Sequence, residues 1–261
     1  MKIKVAAIIE ARMLSNRLPG KVLKKITNKE ILKIIIERVK QSKKIDKIIV
    51  ATTTNRKDDK IVSFLKKLKI PCYRGSSHNV LNRIINCAKK YKINHILRVT
   101  GDNPLTDCLL IDHMITYYEK NNKFDYITNN HFADKKKRKI AYGLDLSIFS
   151  LKSLQLVKKL SKNDKVFQEY PTLYYHTDGK NKFKTKNINS PKELIISNKF
   201  RLTVDTIQDL KFFKMLFREY FKLYKKDEYV ELPKIMKILK KNPSLLKINE
   251  EIIHYVPKII S

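Results

Sequence analysis

Val5-Ala6-Ala7-Ile8-Ile9-Glu10-Ala11-Arg12-Met13-Leu14-Ser15-Asn16-Arg17-Leu18-Pro19-Gly20-Lys21 is the stretch on which the fold turns. Residues 5–9 are apolar without interruption, too few for a helix and without the alternation of a half-exposed strand. They suit a strand buried on both faces, as in a parallel sheet. The following segment is polar and basic, and Leu18-Pro19-Gly20-Lys21 closes it as a turn. A loop that carries Arg12, Arg17 and Lys21 just past a strand's carboxyl end is suited to a triphosphate. Guanidinium forks, an ammonium and exposed backbone N–H groups can share the anionic charge there. An ordinary basic surface loop would explain the charges, but not their position together with Ser15 and the closing turn. The Walker pattern G-x-x-x-x-G-K-[ST] is absent.

Outward from this stretch, short β-branched runs alternate with segments of helical period, the pattern of a parallel sheet with crossover helices. Residues 48–53 and 96–100 read as further buried strands. Residues 30–40, 58–69 and 80–91 read as amphipathic helices, the second with Ile61, Phe64, Leu65 and Leu68 on one face and ended by Pro71. A short strand is expected around Cys72-Tyr73, a helix from the Thr106-Asp107 cap to about Lys120, and strands at 126–128, 143–149, 183–188 and 201–204. Residues 151–160 have helical period, and Thr206-Ile207-Gln208-Asp209 resembles a capping box. The fold class is therefore α/β, a doubly wound and mostly parallel sheet, whose ligands gather at the carboxyl ends of its strands.

A chain of 261 residues with 43% apolar content can bury a substantial core. No Gly/Ser linker, internal repeat or low-complexity tract divides it, so residues 1–261 are expected to form one domain. Within it, 222–261 is a helical C-terminal extension packed on the rest, with a turn at Asn242-Pro243. The apolar run after Met1-Lys2-Ile3-Lys4 is too short for a signal peptide or a membrane span. Cys72, Cys87 and Cys108 have neither disulfide nor zinc spacing, which points to the cytoplasm. The formal charge of +32 raises the prospect of a polyanion partner, but 47 of the 57 basic residues are Lys and are scattered along the chain. Nucleic-acid surfaces favour Arg for its bidentate geometry and stacking, so no nucleic-acid partner is expected. The one dense run, Lys135-Lys136-Lys137-Arg138-Lys139, reads as an exposed loop. None of the six histidines forms a metal-binding spacing; His131 alone is worth inspecting near a pocket.

Two later segments carry carboxylates just past predicted strands. In Arg98-Val99-Thr100-Gly101-Asp102-Asn103-Pro104-Leu105-Thr106-Asp107, Asp102 stands on a Gly/Pro turn, where it can hold Mg²⁺ against substrate phosphates or merely cap the next helix. Asp107 reads as that cap. In Arg201-Leu202-Thr203-Val204-Asp205-Thr206-Ile207-Gln208-Asp209-Leu210, Asp205 can approach Asp102 across a cleft or simply start a helix, and Asp209 reads as a capping residue.

Taken in order, these motifs resemble the cytidylyltransferases that make CMP-activated sugar acids of the acylneuraminate and 3-deoxy-manno-octulosonate type. The branch is that of spore coat polysaccharide biosynthesis protein F. The loop matches A-R-M-x-S-x-R-L-P-G-K, the second segment G-D-x-P-L, and the third V-D-T-x-x-D-L. The resemblance implies a Rossmann-like nucleotide-diphospho-sugar transferase fold and transfer of CMP from CTP to a sugar with release of pyrophosphate, for surface polysaccharide. It implies Mg²⁺ as cofactor, held by Asp102 and Asp205, with Arg12, Lys21 and Asp102 catalytic, and a homodimer as the common assembly. Arg12, Ser15, Arg17 and Lys21 would bind the nucleotide. Arg74 in Tyr73-Arg74-Gly75-Ser76 and Arg83 in Val80-Leu81-Asn82-Arg83 would join them near the base and ribose. Asp145 in Tyr142-Gly143-Leu144-Asp145 and Glu169 in Gln168-Glu169-Tyr170 would face the sugar. Three departures stand out: Leu14 where the family has Gly, Asn82 for Asp, and Tyr170 for His. Two other readings compete, a glycosyltransferase using a nucleotide sugar, which usually carries D-x-D, and a lysine-rich polyanion-binding protein without catalysis.

Overall fold

The structure, a computed structural model, describes residues 3–121, 123–130, 138–224 and 230–252. The unbroken apolar run forms strand β1 (Val5–Glu10). After the 11–21 loop, a small hairpin of β2 (Lys25–Ile26) and β3 (Lys29–Glu30) leads into α1 (Ile31–Lys40). The chain then steps outward on one side of β1 through β4 (Ile45–Thr53), α2 (Asp59–Lys67) and β5 (Cys72–Gly75). It returns over α3 (Val80–Lys90) to β6 (His95–Thr100), which pairs with the other edge of β1. There follow α4 (Cys108–Lys120), β7 (Tyr126–Thr128), β8 (Ser147–Ser150), α5 (Leu151–Leu160), α6 (Lys165–Glu169) and β9 (Thr185–Asn187). Two helices, α7 (Ile207–Tyr224) and α8 (Leu232–Lys241), precede a 3-10 segment at Pro243–Ile248.

Among the described residues the sheet has seven strands, in the order β5-β4-β1-β6-β8-β7-β9. Its first four strands are parallel, β8 is antiparallel to both neighbours, and β9 is a parallel edge strand. Because the chain winds away from β1 in one direction and comes back on the other side, the switch point lies between β1 and β6. Their carboxyl ends define the crevice where such sheets bind ligands. Both faces are covered. Val5, Ala7 and Ile9 pack with α1, α2, α4, α7 and α8, while Ala6 and Ile8 pack with α3, α5 and α6. All five are at most 4% exposed, which is why the run is apolar throughout instead of alternating.

Several elements differ from expectation for local reasons. Glu30 belongs to β3, so the first helix begins at Ile31. Asp58 lies in a 3-10 turn ahead of α2, and α2 ends at Lys67, before Lys69 takes a left-handed conformation. Residues 143–146 are loop, and the strand expected there is confined to Ser147–Ser150. The segment 201–204 is no strand: its amides bond to two different segments, and only Arg201 forms a bridge, with Tyr142. Arg138, expected on an exposed loop, is buried, although Lys139 is exposed. His131, His254 and Lys135 to Lys137 lie outside the described residues. The three cysteines are free thiols, and among the described residues no helix is long and apolar enough to cross a membrane.

Candidate active site

Three separate segments are tied together at the switch point by backbone hydrogen bonds. The β1–β6 register pairs Glu10 with Thr100, and the Gly101 N–H extends the ladder by donating to the Glu10 carbonyl at 2.8 Å. A Cβ on Gly101 would stand 2.6 Å from that oxygen, so the approach requires glycine. The Arg98–Glu10 salt bridge, 2.6 Å long, clamps the same two strand ends. Burial disfavours the Arg98 charge, but Glu10 outweighs burial and raises its pKa. The third segment hangs from the second: the Asp102 carbonyl accepts from the Val204 N–H at 2.8 Å and from the Thr203 hydroxyl at 3.4 Å. Gly143, at φ 100°, makes room for this segment, since a Cβ there would sit 1.9 Å from the Leu202 carbonyl oxygen.

The outcome is a compact charge cluster. Lys21 Nζ lies 2.6 Å from Asp102 Oδ2 and 2.7 Å from Asp205 Oδ1. Asp205 Oδ2 also receives Arg17 Nη2 at 3.0 Å and Arg201 Nη2 at 2.6 Å. Burial alone would raise the Asp205 pKa; Lys21, Arg17 and Arg201 reverse that and hold it at about 2. Lys21 shows the mirror effect, with burial opposed by Asp102 and Asp205 and the net pKa raised. Beneath them, the fully buried Asp209 accepts from Arg201 Nε at 2.9 Å and from the Asp205 and Thr206 amides at 2.9 Å each. Thr206 Oγ1 accepts from the Asp209 amide in return, completing the capping box. Asp209 therefore caps α7 and also anchors the arginine that orients Asp205.

Arg12 reaches across to α6 and pairs with Glu169 at 2.9 Å. Ser15 is half-buried, its amide on the Met13 carbonyl at 3.1 Å. Leu14 points outward, 42% exposed, and its backbone is not in the left-handed region, so the family's glycine is not needed there for conformation. Arg74 is engaged with the Thr53 and Asn55 carbonyls and with Asp59. Arg83 is buried, donates to the Ser76 carbonyl at 2.6 Å, and has its pKa lowered by burial. Asp145 is paired with Arg138 at 2.7 Å and hydrogen-bonded by Asn130; Arg138 also stacks 3.6 Å from the Tyr142 ring centroid. Tyr170 ends α6 and packs against the apolar layer of α3 and α5. Arg17, Lys21, Asp102 and Asp205 thus form one contact network, Arg12 and Glu169 pair with each other, and Arg74, Arg83 and Asp145 have separate partners.

The supports of these side chains lie outside the sequence motifs. Asp58, fully buried, accepts from the Met13 amide at 2.7 Å, the Thr53 amide at 3.0 Å and the hydroxyls of Thr52 and Thr53. It fixes the start of the 11–21 loop. Arg38, 3% exposed, donates to the carbonyls of Thr106 at 2.7 Å and Val230 at 2.6 Å and meets Asp107 at 3.3 Å. Its signal was present: Arg38 falls on the same helical stripe as Ile31 and Ile34. Asp107 caps α4 as expected, accepting from the Leu109 and Leu110 amides. Arg201 and Asn249 carry no comparable local signal.

The carboxylates of Asp102 and Asp205 converge on one point, the Lys21 nitrogen, and offer hard oxygen donors there. Mg²⁺ is commonly held by one or two carboxylates, with substrate phosphates and water filling the remaining positions, so the donor set fits it. Among the described residues no group of three or more His, Cys, Asp or Glu side chains could hold a metal by itself.

Known proteins of similar sequence and fold identify the family. The chain is 38% identical over 249 residues to an uncharacterized protein of Methanocaldococcus jannaschii, covering 95% of this chain and 96% of that one. It is 30% identical over 217 residues to the spore coat polysaccharide biosynthesis protein SpsF of Bacillus subtilis, covering 81% and 85%. A solved cytidylyltransferase from Leptospira borgpetersenii superposes with a TM-score of 0.84 at 31% identity, over 97% of this chain and all of the other. The family model for cytidylyltransferase matches residues 6–252, and the chain belongs to that family of nucleotidyltransferase enzymes.

Proposed function

We propose that this cytidylyltransferase joins CMP from CTP to a hydroxyl of a sugar acid, releasing pyrophosphate, in the synthesis of a surface polysaccharide. The observation that carries the reading is the meeting of Lys21, Asp102 and Asp205, from three distant segments, within 2.7 Å at the switch point. The sugar hydroxyl attacks the α-phosphorus; the new bond joins sugar oxygen to phosphorus, the hydroxyl proton passes to solvent, and the bond to the bridging oxygen of the β-phosphate breaks, the electron pair leaving with pyrophosphate. Such chemistry depends on positioning and charge neutralisation more than on a covalent nucleophile. Arg12, Arg17 and Lys21 grip the β- and γ-phosphates and stabilise the departing pyrophosphate, with Ser15 and the loop amides beside them. Asp102 and Asp205 would hold Mg²⁺, which would supply neutralisation of charge on the phosphate oxygens. Arg74 and Arg83 flank the nucleoside, and Asp145 and Glu169 face the sugar. Residues 1–261 act as one nucleotidyltransferase unit, assembled as a homodimer in the cytoplasm, where CTP is made.

The glycosyltransferase alternative is disfavoured because Gly101-Asp102-Asn103-Pro104 lacks D-x-D. Pyrophosphate release is measured with CTP, Mg²⁺ and a panel of sugar acids. Asp102→Asn should lower turnover by more than about 100-fold with circular dichroism unchanged. Folded wild-type protein that releases no pyrophosphate with any sugar acid defeats the reading, and an active Asp102→Asn variant removes Asp102 from the site.

A further inference from the structure

Each cation of the 11–21 loop is already paired with a carboxylate: Arg12 with Glu169, Arg17 with Asp205, and Lys21 with Asp102 and Asp205 together. The Lys21 pairing is the most enclosed of these. Its side chain is 12% exposed, as is that of Asp205, against 42% for Arg17. The ammonium occupies the point at which both carboxylates aim, the same point that a divalent ion shared between them has to fill. Two cations cannot share that space, since at such separations their repulsion is large even when partly screened.

Resting on the reading of this site as a CTP and Mg²⁺ centre, we propose that Lys21 is a built-in counter-cation that keeps the divalent site closed until a triphosphate draws it away. As the phosphates arrive, the ammonium moves from carboxylate oxygens to phosphate oxygens, and Asp102 Oδ2 and Asp205 Oδ1 are freed together to take the ion, while Arg201 keeps Asp205 Oδ2. One cation leaves and another enters, so buried Asp205 and half-buried Asp102 are never left uncompensated, which would be costly. The exchange also suits lysine. Its charge is compact, its stem is flexible and its three donors rotate, so it can re-aim where a planar guanidinium would need repacking. The backbone under it is held: the Lys21 amide donates to the Leu18 carbonyl at 3.2 Å and its carbonyl accepts from the Lys24 amide at 3.0 Å. Motion is therefore confined to the side chain. The consequence is an order of binding, with the divalent ion entering together with the nucleotide or after it.

Mn²⁺, counted by its electron paramagnetic resonance signal, tests this without turnover. In the absence of nucleotide, Lys21→Gln should bind Mn²⁺ about tenfold or more tightly than wild type. Adding Asp102→Asn to Lys21→Gln should remove the gain, and Lys21→Arg, which keeps the charge, should stay as weak as wild type. Equal Mn²⁺ affinity in wild type and Lys21→Gln, with both folded, overturns the proposal. If Lys21→Gln does not fold, wild-type thermal unfolding decides: Mg²⁺ alone should leave the Tm unchanged, and Mg²⁺ with CTP should raise it. A rise with Mg²⁺ alone that Asp102→Asn abolishes overturns the proposal too. Failure of wild type to bind CTP with Mn²⁺ would instead defeat the reading of the site as a nucleotide centre, so the two failures are distinct.

Discussion

Asp58 and Asp205 are both buried carboxylates, yet one is held by neutral donors and the other by cations. Asp58 uses amides and hydroxyls, among them the Met13 amide at 2.7 Å, and Met13 in turn accepts from the Ser15 and Gly20 amides. Asp58→Asn keeps the shape but turns an amide NH₂ toward groups that are themselves donors, at a cost of about 1–3 kcal/mol. The urea midpoint should fall. Because the misplaced group starts the 11–21 loop, which the proposed function sets against the triphosphate, KM for CTP should rise several-fold while kcat changes less; an unchanged KM would confine Asp58 to stability. Asp205 behaves differently with pH. Its folded pKa of about 2 lies below an unfolded value near 3.8, so its stabilisation is complete above the unfolded value and is lost as pH falls through the folded one. Acid unfolding should therefore steepen between about pH 4 and pH 2, by an amount on the order of 2 kcal/mol. Asp205→Asn should flatten that window, and an identical pH profile for the variant would show that other carboxylates govern it.

At the scale of elements, the junction of β1 with β6 decides where Asp102 stands. Gly101→Ala places a methyl 2.6 Å from the Glu10 carbonyl oxygen, and that backbone cannot swing aside as a flexible side chain would. Parting the strand ends should cost about 1–3 kcal/mol and move Asp102 relative to Lys21, lowering kcat more than KM. An alanine variant with wild-type kcat would mean that the junction tolerates more shift than its packing suggests. These elements are legible in the sequence to the degree that burial leaves a local pattern. β1, β4 and β6 are buried where the run is β-branched and apolar, so composition alone marks them. Residues 201–204 mislead because their hydrogen bonds go to Tyr142 and Asp102, partners 60 and more residues away, a tertiary fact with no local trace. Of the charge cluster, Lys21, Asp102 and Asp205 are legible as motif residues, whereas their mutual distances are not. Arg38 and Arg138 are both buried; Arg38 shows it by its place on the apolar stripe of α1, whereas Arg138, beside a run of lysines, looks like a surface charge and only packing shows otherwise.

Across the whole molecule, the last segment of the chain supports the centre from behind. Residues 230–249 read from sequence only as a helical extension, yet the Val230 carbonyl accepts from Arg38 and Asn249 is 4% exposed against the site's own scaffold. Asn249 Nδ2 donates to the Arg201 carbonyl at 3.2 Å and to Asp209 Oδ1 at 3.0 Å. It thereby braces the arginine that orients Asp205 and the aspartate that anchors that arginine. Asn249→Ala removes two hydrogen bonds, but Asp209 keeps Arg201 and its amide donors, so the loss should be about 1–2 kcal/mol with turnover reduced a few-fold. Asn249→Asp has the same shape and sets a second carboxylate against Asp209 in a buried setting, where like charges disfavour each other strongly. Its loss should exceed that of the alanine variant above neutral pH and shrink as the medium becomes acidic and the new carboxyl is protonated. Thermal unfolding of both variants across pH reads this directly. If aspartate proved as mild as alanine at every pH, Asn249 would be a packing residue and the tail would have no electrostatic hold on the centre.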